Sequence, residues 1–350
     1  MSIDKSSHTR IPDTRRNKYE REKDRFLKIT IECLGSLYTI FSHIEDIKGG
    51  NMSSISKKIV TSIVNFFRES NTFPEFKRYI SHDLGNIATI VIFTLESLNT
   101  SDRNGTRQTS NSREAVINSF LLFWPRFYCA TEDTALKVLA SDTIDEKYCQ
   151  NFDLDMLKYI LDYFTNFELV SFKEKIDKQK NAAAKVSPCQ KIENKQFINN
   201  INFDQLKSQL GGRRVRGNLG AVLNGVLNML RNAFKDDIKA DFIEIDAIIE
   251  EDKLVIRVCD NGIGISEEQL DSGSDKYIFA SGVSATKSTG LGLANSDKRF
   301  ASMGVELIVI SKEPGTGNLS RFSNTSRSTF KTDLLNSMNT IFEIRLPIVQ

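Results

Sequence analysis

Two short runs carry most of the chemistry in this chain: Asp260-Asn261-Gly262-Ile263-Gly264-Ile265 and, downstream, Thr289-Gly290-Leu291-Gly292-Leu293. A carboxylate just past a strand can accept a hydrogen bond from an exocyclic base amine, and glycines let the backbone turn tightly and approach a ligand with no Cβ in the way. The second run opens a helix, whose free N–H groups and positive dipole end favour phosphate. Together they outline a nucleotide pocket.

An upstream partner strengthens this reading. Residues 223–233 read LNGVLNMLRNA, an apolar run at helical spacing that sets Asn228 and Asn232 one turn apart on the same face. The amide oxygen of Asn232 can ligate Mg²⁺, a hard cation that takes oxygen ligands together with substrate phosphates. Two competing phosphate motifs do not fit. A dinucleotide fingerprint needs a small residue where Asn295 stands, and a Walker A loop needs Gly where Thr286 precedes Lys287-Ser288.

In order and spacing, residues 195–350 resemble the GHKL ATPase superfamily and, within it, the sensor histidine kinases. Asn228 and Asn232 correspond to the N box, Asp260, Gly262 and Gly264 to the G1 box, and Gly290, Leu291 and Gly292 to the G2 box. Gly217-Asn218 stands at the family's Gly-Asp position, with Asn replacing Asp. The resemblance implies a Bergerat-type α/β sandwich that binds Mg-ATP. Residues 278–287 resemble the ATP lid, in which Thr286 and Lys287 approach the γ-phosphate. Lys287 reads either as a cation stabilising the transferring group or as a solvated loop charge, and Lys235, just past the N box, carries the same two readings.

The candidate phosphoacceptor lies far upstream, in Ser81-His82-Asp83-Leu84-Gly85-Asn86. Neutral imidazole is a good nucleophile near pH 7, and an adjacent carboxylate can orient it and take up the displaced proton. The segment 76–98 is amphipathic and places Asn86 one turn beyond His82. This hexapeptide is similar to the H box of histidine kinases, with Gly85 where a basic residue is usual and Ile87 where Pro is usual. Of the three histidines, His8 and His43 have no accompanying motif.

The elements that must position these residues fall into two classes. From residue 21 to about 180 apolar residues recur at helical spacing, interrupted at Pro74 and Pro125, and predict an all-helical region. Residues 1–20 are polar and predict a disordered tail, while 181–194, Lys-rich and closing on Ser187-Pro188, read as a linker. Beyond it, β-rich runs at 242–249 and 254–258 flank an acidic turn and predict an antiparallel hairpin that delivers Asp260; 305–310 and 341–346 add two strands. The Ser/Thr/Asn-rich stretch 318–338 reads as a surface-loop insertion. The expected fold class is α+β: a helical dimerisation and phosphoacceptor region, then an α/β sandwich.

Composition narrows the partners. A formal net charge of +2 gives no strong field, so nucleic acid is not favoured. Five scattered cysteines without CxxC argue against a disulfide framework or a zinc site. The first apolar stretch, 26–47, is broken by Lys28, Glu32, His43 and Glu45, so no membrane span is expected. These readings point to a cytoplasmic protein. Resemblance implies a homodimeric histidine kinase in which His82 takes the phosphoryl group from Mg-ATP, Asp83 and Asn86 assist, and a separate response-regulator receiver domain accepts it. The alternatives are a degenerate kinase acting as a phosphotransfer scaffold, favoured by the departures at Gly85 and Ile87, and a non-kinase GHKL ATPase.

Overall fold

The computed structural model describes residues 13–48, 57–70, 89–94, 96–97, 110–139, 151–170, 196–234, 238, 240–279, 300–301, 303–325 and 337–350. The chain divides into two compact units, Met1–Ser141 and Asp142–Gln350.

The first unit is helical throughout its described residues: α1 (Asp13–Ser42), α2 (Ile44–Lys48), α3 (Lys57–Ser70), a helical run over 89–94, and α4 (Ser110–Leu139). α1 begins within the segment expected to be a disordered tail, because its Arg, Lys and Glu residues are good helix formers. α4 continues through Pro125, where an interruption was expected. An interior proline costs about 3 kcal/mol, and the buried Phe120, Phe123, Trp124, Phe127 and Tyr128 around it offset that cost. No helix among the described residues is long and apolar enough to cross a membrane.

The second unit is a mixed α/β structure, as expected, but it starts earlier than the expected linker. It holds β1 (Asn151–Phe152), α5 (Leu154–Tyr163) with a π-helical turn (Phe164–Glu168), β2 (Gln196–Asn199), α6 (Phe203–Leu210), β3 (Arg214–Arg216) and α7 (Leu219–Ala233). There follow β4 (Phe242–Glu250), β5 (Lys253–Asp260), α8 (Glu267–Leu270), β6 (Glu306–Lys312), β7 (Leu319–Ser323) and β8 (Thr340–Val349). The strands run β1-β3-β8-β5-β4-β2, with β6 also on β8 and β7 on β6; β2 and β4 are parallel and the other pairs antiparallel.

Sequence periodicity assigned α5 to the helical region, yet its contacts belong to the sheet unit. Phe164 packs against Phe197 of β2 and against Phe234 at the end of α7, with ring centroids 5.3 and 5.5 Å apart. Glu168 forms a bidentate ion pair with Arg231 of α7. β1 pairs with β3, so the run to residue 180 is not all-helical. The linker expected at 181–194 lies outside the described residues. The predicted β4–β5 hairpin is present, turning at Glu251 with φ +54°. The stretch expected as a surface loop contributes β7.

Candidate functional site

α7 positions the first group of site residues. Asn218 caps it by accepting the Ala221 N–H at 2.8 Å, the function for which an N-terminal Asn or Asp is suited. Twelve of its fifteen residues are buried, and those left partly exposed are Asn228, Arg231 and Asn232. The two asparagines thus lie on the partly exposed arc of the helix. Arg231, the third member, was not singled out from the sequence.

β5 ends on Asp260, whose side chain is 4% exposed. Its Oδ1 accepts the Gly262 N–H at 2.8 Å. Burial pushes the carboxyl up to about 6, and the Gly262 hydrogen bond partly counters this. No described residue donates to its Oδ2. A buried carboxylate with one oxygen satisfied and the other left to accept fits the exocyclic amine of adenine.

The loop that follows is anchored at almost every residue. Asn261 Oδ1 accepts the N–H groups of Asp241 and Phe242, both at 2.9 Å. Ile263 N–H donates to the Ile238 carbonyl at 2.9 Å, and Ile265 N–H to Ser311 Oγ at 2.8 Å. Ser320 Oγ on β7 donates to the Ile265 carbonyl. From the other side, Asn339 donates its backbone N–H to the Asp260 carbonyl at 2.7 Å and its amide to the carbonyls of Asn261 and Gly262 at 3.2 and 2.6 Å.

The two glycines of this loop serve these contacts directly. A Cβ on Gly262 would lie 2.6 Å from the Ile238 carbonyl oxygen, and one on Gly264, at φ +84°, 1.8 Å from that of Lys312. Their bare backbones make room for neighbouring backbone of the same chain.

Sequence reasoning missed Ser311, Ser320, Asn339 and Thr340. The strand register sets Asp260, Thr340 and Ser311 in one row across β5, β8 and β6, and Ser311 Oγ lies 3.1 Å from Thr340 Oγ1. Polar residues ending otherwise apolar strands were the available signal. Beyond the loop, Phe279 stacks on Phe322 of β7 at 4.8 Å, where the chain enters the proposed lid. His82, Asp83, Asn86, Lys235, Thr286, Lys287, Gly290, Leu291 and Gly292 lie outside the described residues.

Residues 220–348 match the family of histidine kinase-, DNA gyrase B- and HSP90-like ATPases. The sensor protein LytS of two Staphylococcus epidermidis strains is 37% identical over 78 residues, which are 22% of this chain and 12% of that protein. The chain therefore spans a small part of these relatives' length. Among solved structures, the mycobacterial sensor histidine kinase MprB aligns at 15% identity over 51% of this chain and 92% of its own, with a TM-score of 0.30. The catalytic domain of histidine kinase ThkA aligns at 18% identity over 57% and 96%, with a TM-score of 0.34. It is thus over residues 220–348 that the chain is similar to the histidine kinase-, DNA gyrase B- and HSP90-like ATPases.

Proposed function

We propose that this protein is an ATP-dependent protein-histidine kinase that labels itself on His82 and hands the phosphoryl group to an aspartate of a response regulator. The observation that carries the nucleotide part is the buried Asp260 carboxylate, held on one oxygen by Gly262 and open to a donor on the other. In this reading Asp260 accepts from the adenine amine, and Asn232 supplies an oxygen to Mg²⁺ with Asn228 beside it on the same helical face. Lys235, Thr286 and Lys287 stabilise the phosphates, and Gly290, Leu291 and Gly292 offer them backbone N–H groups. Bound Mg²⁺ would neutralise charge on the transferring group. His82 attacks the γ-phosphorus in line as the bond from that phosphorus to the β,γ-bridging oxygen breaks and ADP leaves, Asp83 orients the ring and receives its proton, and Asn86 positions water for dephosphorylation of the partner.

The proposed organisation is a cytoplasmic homodimer whose helical region carries the acceptor and whose sheet unit binds ATP. A second reading, a degenerate kinase acting as scaffold, is favoured by Gly85 and Ile87 where the H box usually has a basic residue and proline. Incubating the full chain with γ-labelled ATP and Mg²⁺ separates them. The kinase acquires a label that is lost in acid and kept in base, as a phosphoramidate is. ATP binding without any acid-labile label would favour the scaffold.

A further inference from the structure

Asn339 precedes β8, at the end of the stretch that sequence reading assigned to an insertion, and its hydrogen bonds converge on the Asp260 loop. Its backbone N–H donates to the Asp260 carbonyl at 2.7 Å, and its own carbonyl accepts the Lys312 N–H at 2.8 Å and Ser311 Oγ at 3.0 Å. The side-chain amide reaches further, to the carbonyls of Asn261 and Gly262 at 3.2 and 2.6 Å. The Asn261 carbonyl and the Gly262 N–H are the two ends of one peptide unit. One end accepts from Asn339 while the other donates to Asp260 Oδ1 at 2.8 Å.

We infer that Asn339 is a positioning residue for nucleotide recognition: its amide fixes the orientation of the 261–262 peptide, and that peptide in turn holds the Asp260 carboxylate. This rests on the reading of Asp260 as the adenine acceptor. A peptide plane can rotate about its flanking dihedrals with little displacement of the chain, and glycine at position 262 leaves that rotation nearly unhindered by its own side chain. Two anchors oppose it. Asn261 fixes its own side chain to Asp241 and Phe242, and Asn339 fixes the carbonyl. With Asn339 removed, the Gly262 N–H would swing away from Oδ1 for part of the time.

This N–H is the interaction that favours the charged form of Asp260, against burial, and no charged side chain among the described residues acts on the carboxyl. Weakening it makes Asp260 easier to protonate and a poorer acceptor for an amine.

The test is a carbon-13 NMR titration of aspartate carboxyls in the nucleotide-free full chain, with Asp260 identified through Asp260→Asn. Asn339→Ala keeps the backbone N–H and should move the Asp260 titration up by about one pH unit. Asp246 on β4, whose carboxyl is raised by burial and countered by Arg257, serves as the control and should not move. ATP affinity of the variant should then fall about threefold near pH 6.5 and hold near pH 8. If Asn339→Ala does not fold, Asn339→Ser, too short to span both carbonyls, is titrated in its place. An unmoved Asp260, or equal movement of Asp260 and Asp246, overturns the proposal. A moved Asp260 in a chain that binds no ATP at any pH would sink the nucleotide reading and, with it, the role in recognition.

Discussion

Burying the carboxyl of Asp260 at the end of β5 costs stability that an amide there would not. Its folded-state pKa is raised from 3.8 to about 6, so its contribution to stability is fully present below the unfolded value and is lost as pH rises through the folded one. The difference corresponds to roughly 3 kcal/mol across that window. Asp260→Asn should therefore raise unfolding stability near pH 8 by about 1–3 kcal/mol and leave it nearly unchanged near pH 4, while ATP affinity falls about tenfold. Denaturant titrations at the two pH values, with calorimetry for ATP, read both effects; a stability gain of the same size at both would refute the assigned cause. Asn232→Ala, at a half-exposed position, should remove most of the Mg²⁺ dependence of ATP binding while the fold persists. A Mg²⁺ titration identical to the parent's would leave Asn232 as an ordinary helix residue. The placement of both residues, Asp260 at the end of a strand and Asn232 on a helix, was legible because residue type and local spacing define it. The anchors of the loop that begins at Asp260 were not, since Asn339 and Ser311 reach it only through the pairing of β8 and β6, which no local pattern encodes.

At the scale of elements, glycines separate backbone-limited from side-chain-limited packing. Gly264→Ala would force a positive φ on alanine and drive its Cβ to 1.8 Å from the Lys312 carbonyl oxygen, which is fixed in β6. We expect a loss of about 3 kcal/mol or more, with the loop displaced from β6. Gly225→Ala in α7 meets the end of the Phe300 ring at 2.7 Å instead. A buried ring must shift to admit the methyl, at about 1–3 kcal/mol, while alanine gains about 1 kcal/mol of helix propensity, so the net loss should be smaller than at Gly264. Urea midpoints of the two variants test the order, and equal losses would mean that the Gly264 loop yields as readily as a side chain. The β4–β5 hairpin was readable because two β-rich apolar runs flank an acidic turn. α5 was readable as a helix but not as part of the sheet unit, because its packing on Phe197 and Phe234 is a long-range matter. β7 was hidden for a related reason: Leu319–Ser323 is polar in composition and becomes a strand by pairing with β6.

Across the whole molecule, the acceptor and nucleotide residues of the proposed kinase fall in different compact units, His82 in Met1–Ser141 and Asp260 in Asp142–Gln350. Substitutions in one unit should then leave the other's activity readable, which makes the enzyme and scaffold readings separable in the intact chain. His82→Gln keeps a polar side chain of similar reach but cannot form a phosphoramidate. Labelling from γ-labelled ATP should vanish while calorimetric ATP affinity stays at the parent value. Asp83→Asn leaves the nucleophile in place and removes the base, so labelling should slow by about 10²–10⁴-fold with ATP affinity again unchanged. Asn86→Ala should spare labelling and alter dephosphorylation of the partner regulator, because its amide would act on water and not on ATP. Loss of ATP affinity in His82→Gln would show that the substitution disturbs the second unit, and the labelling result could then not be assigned to the nucleophile. Label that survives His82→Gln with its acid lability intact would move the acceptor elsewhere, and His43, half-exposed and 3.2 Å from the Asp46 carboxylate, is the histidine to substitute next.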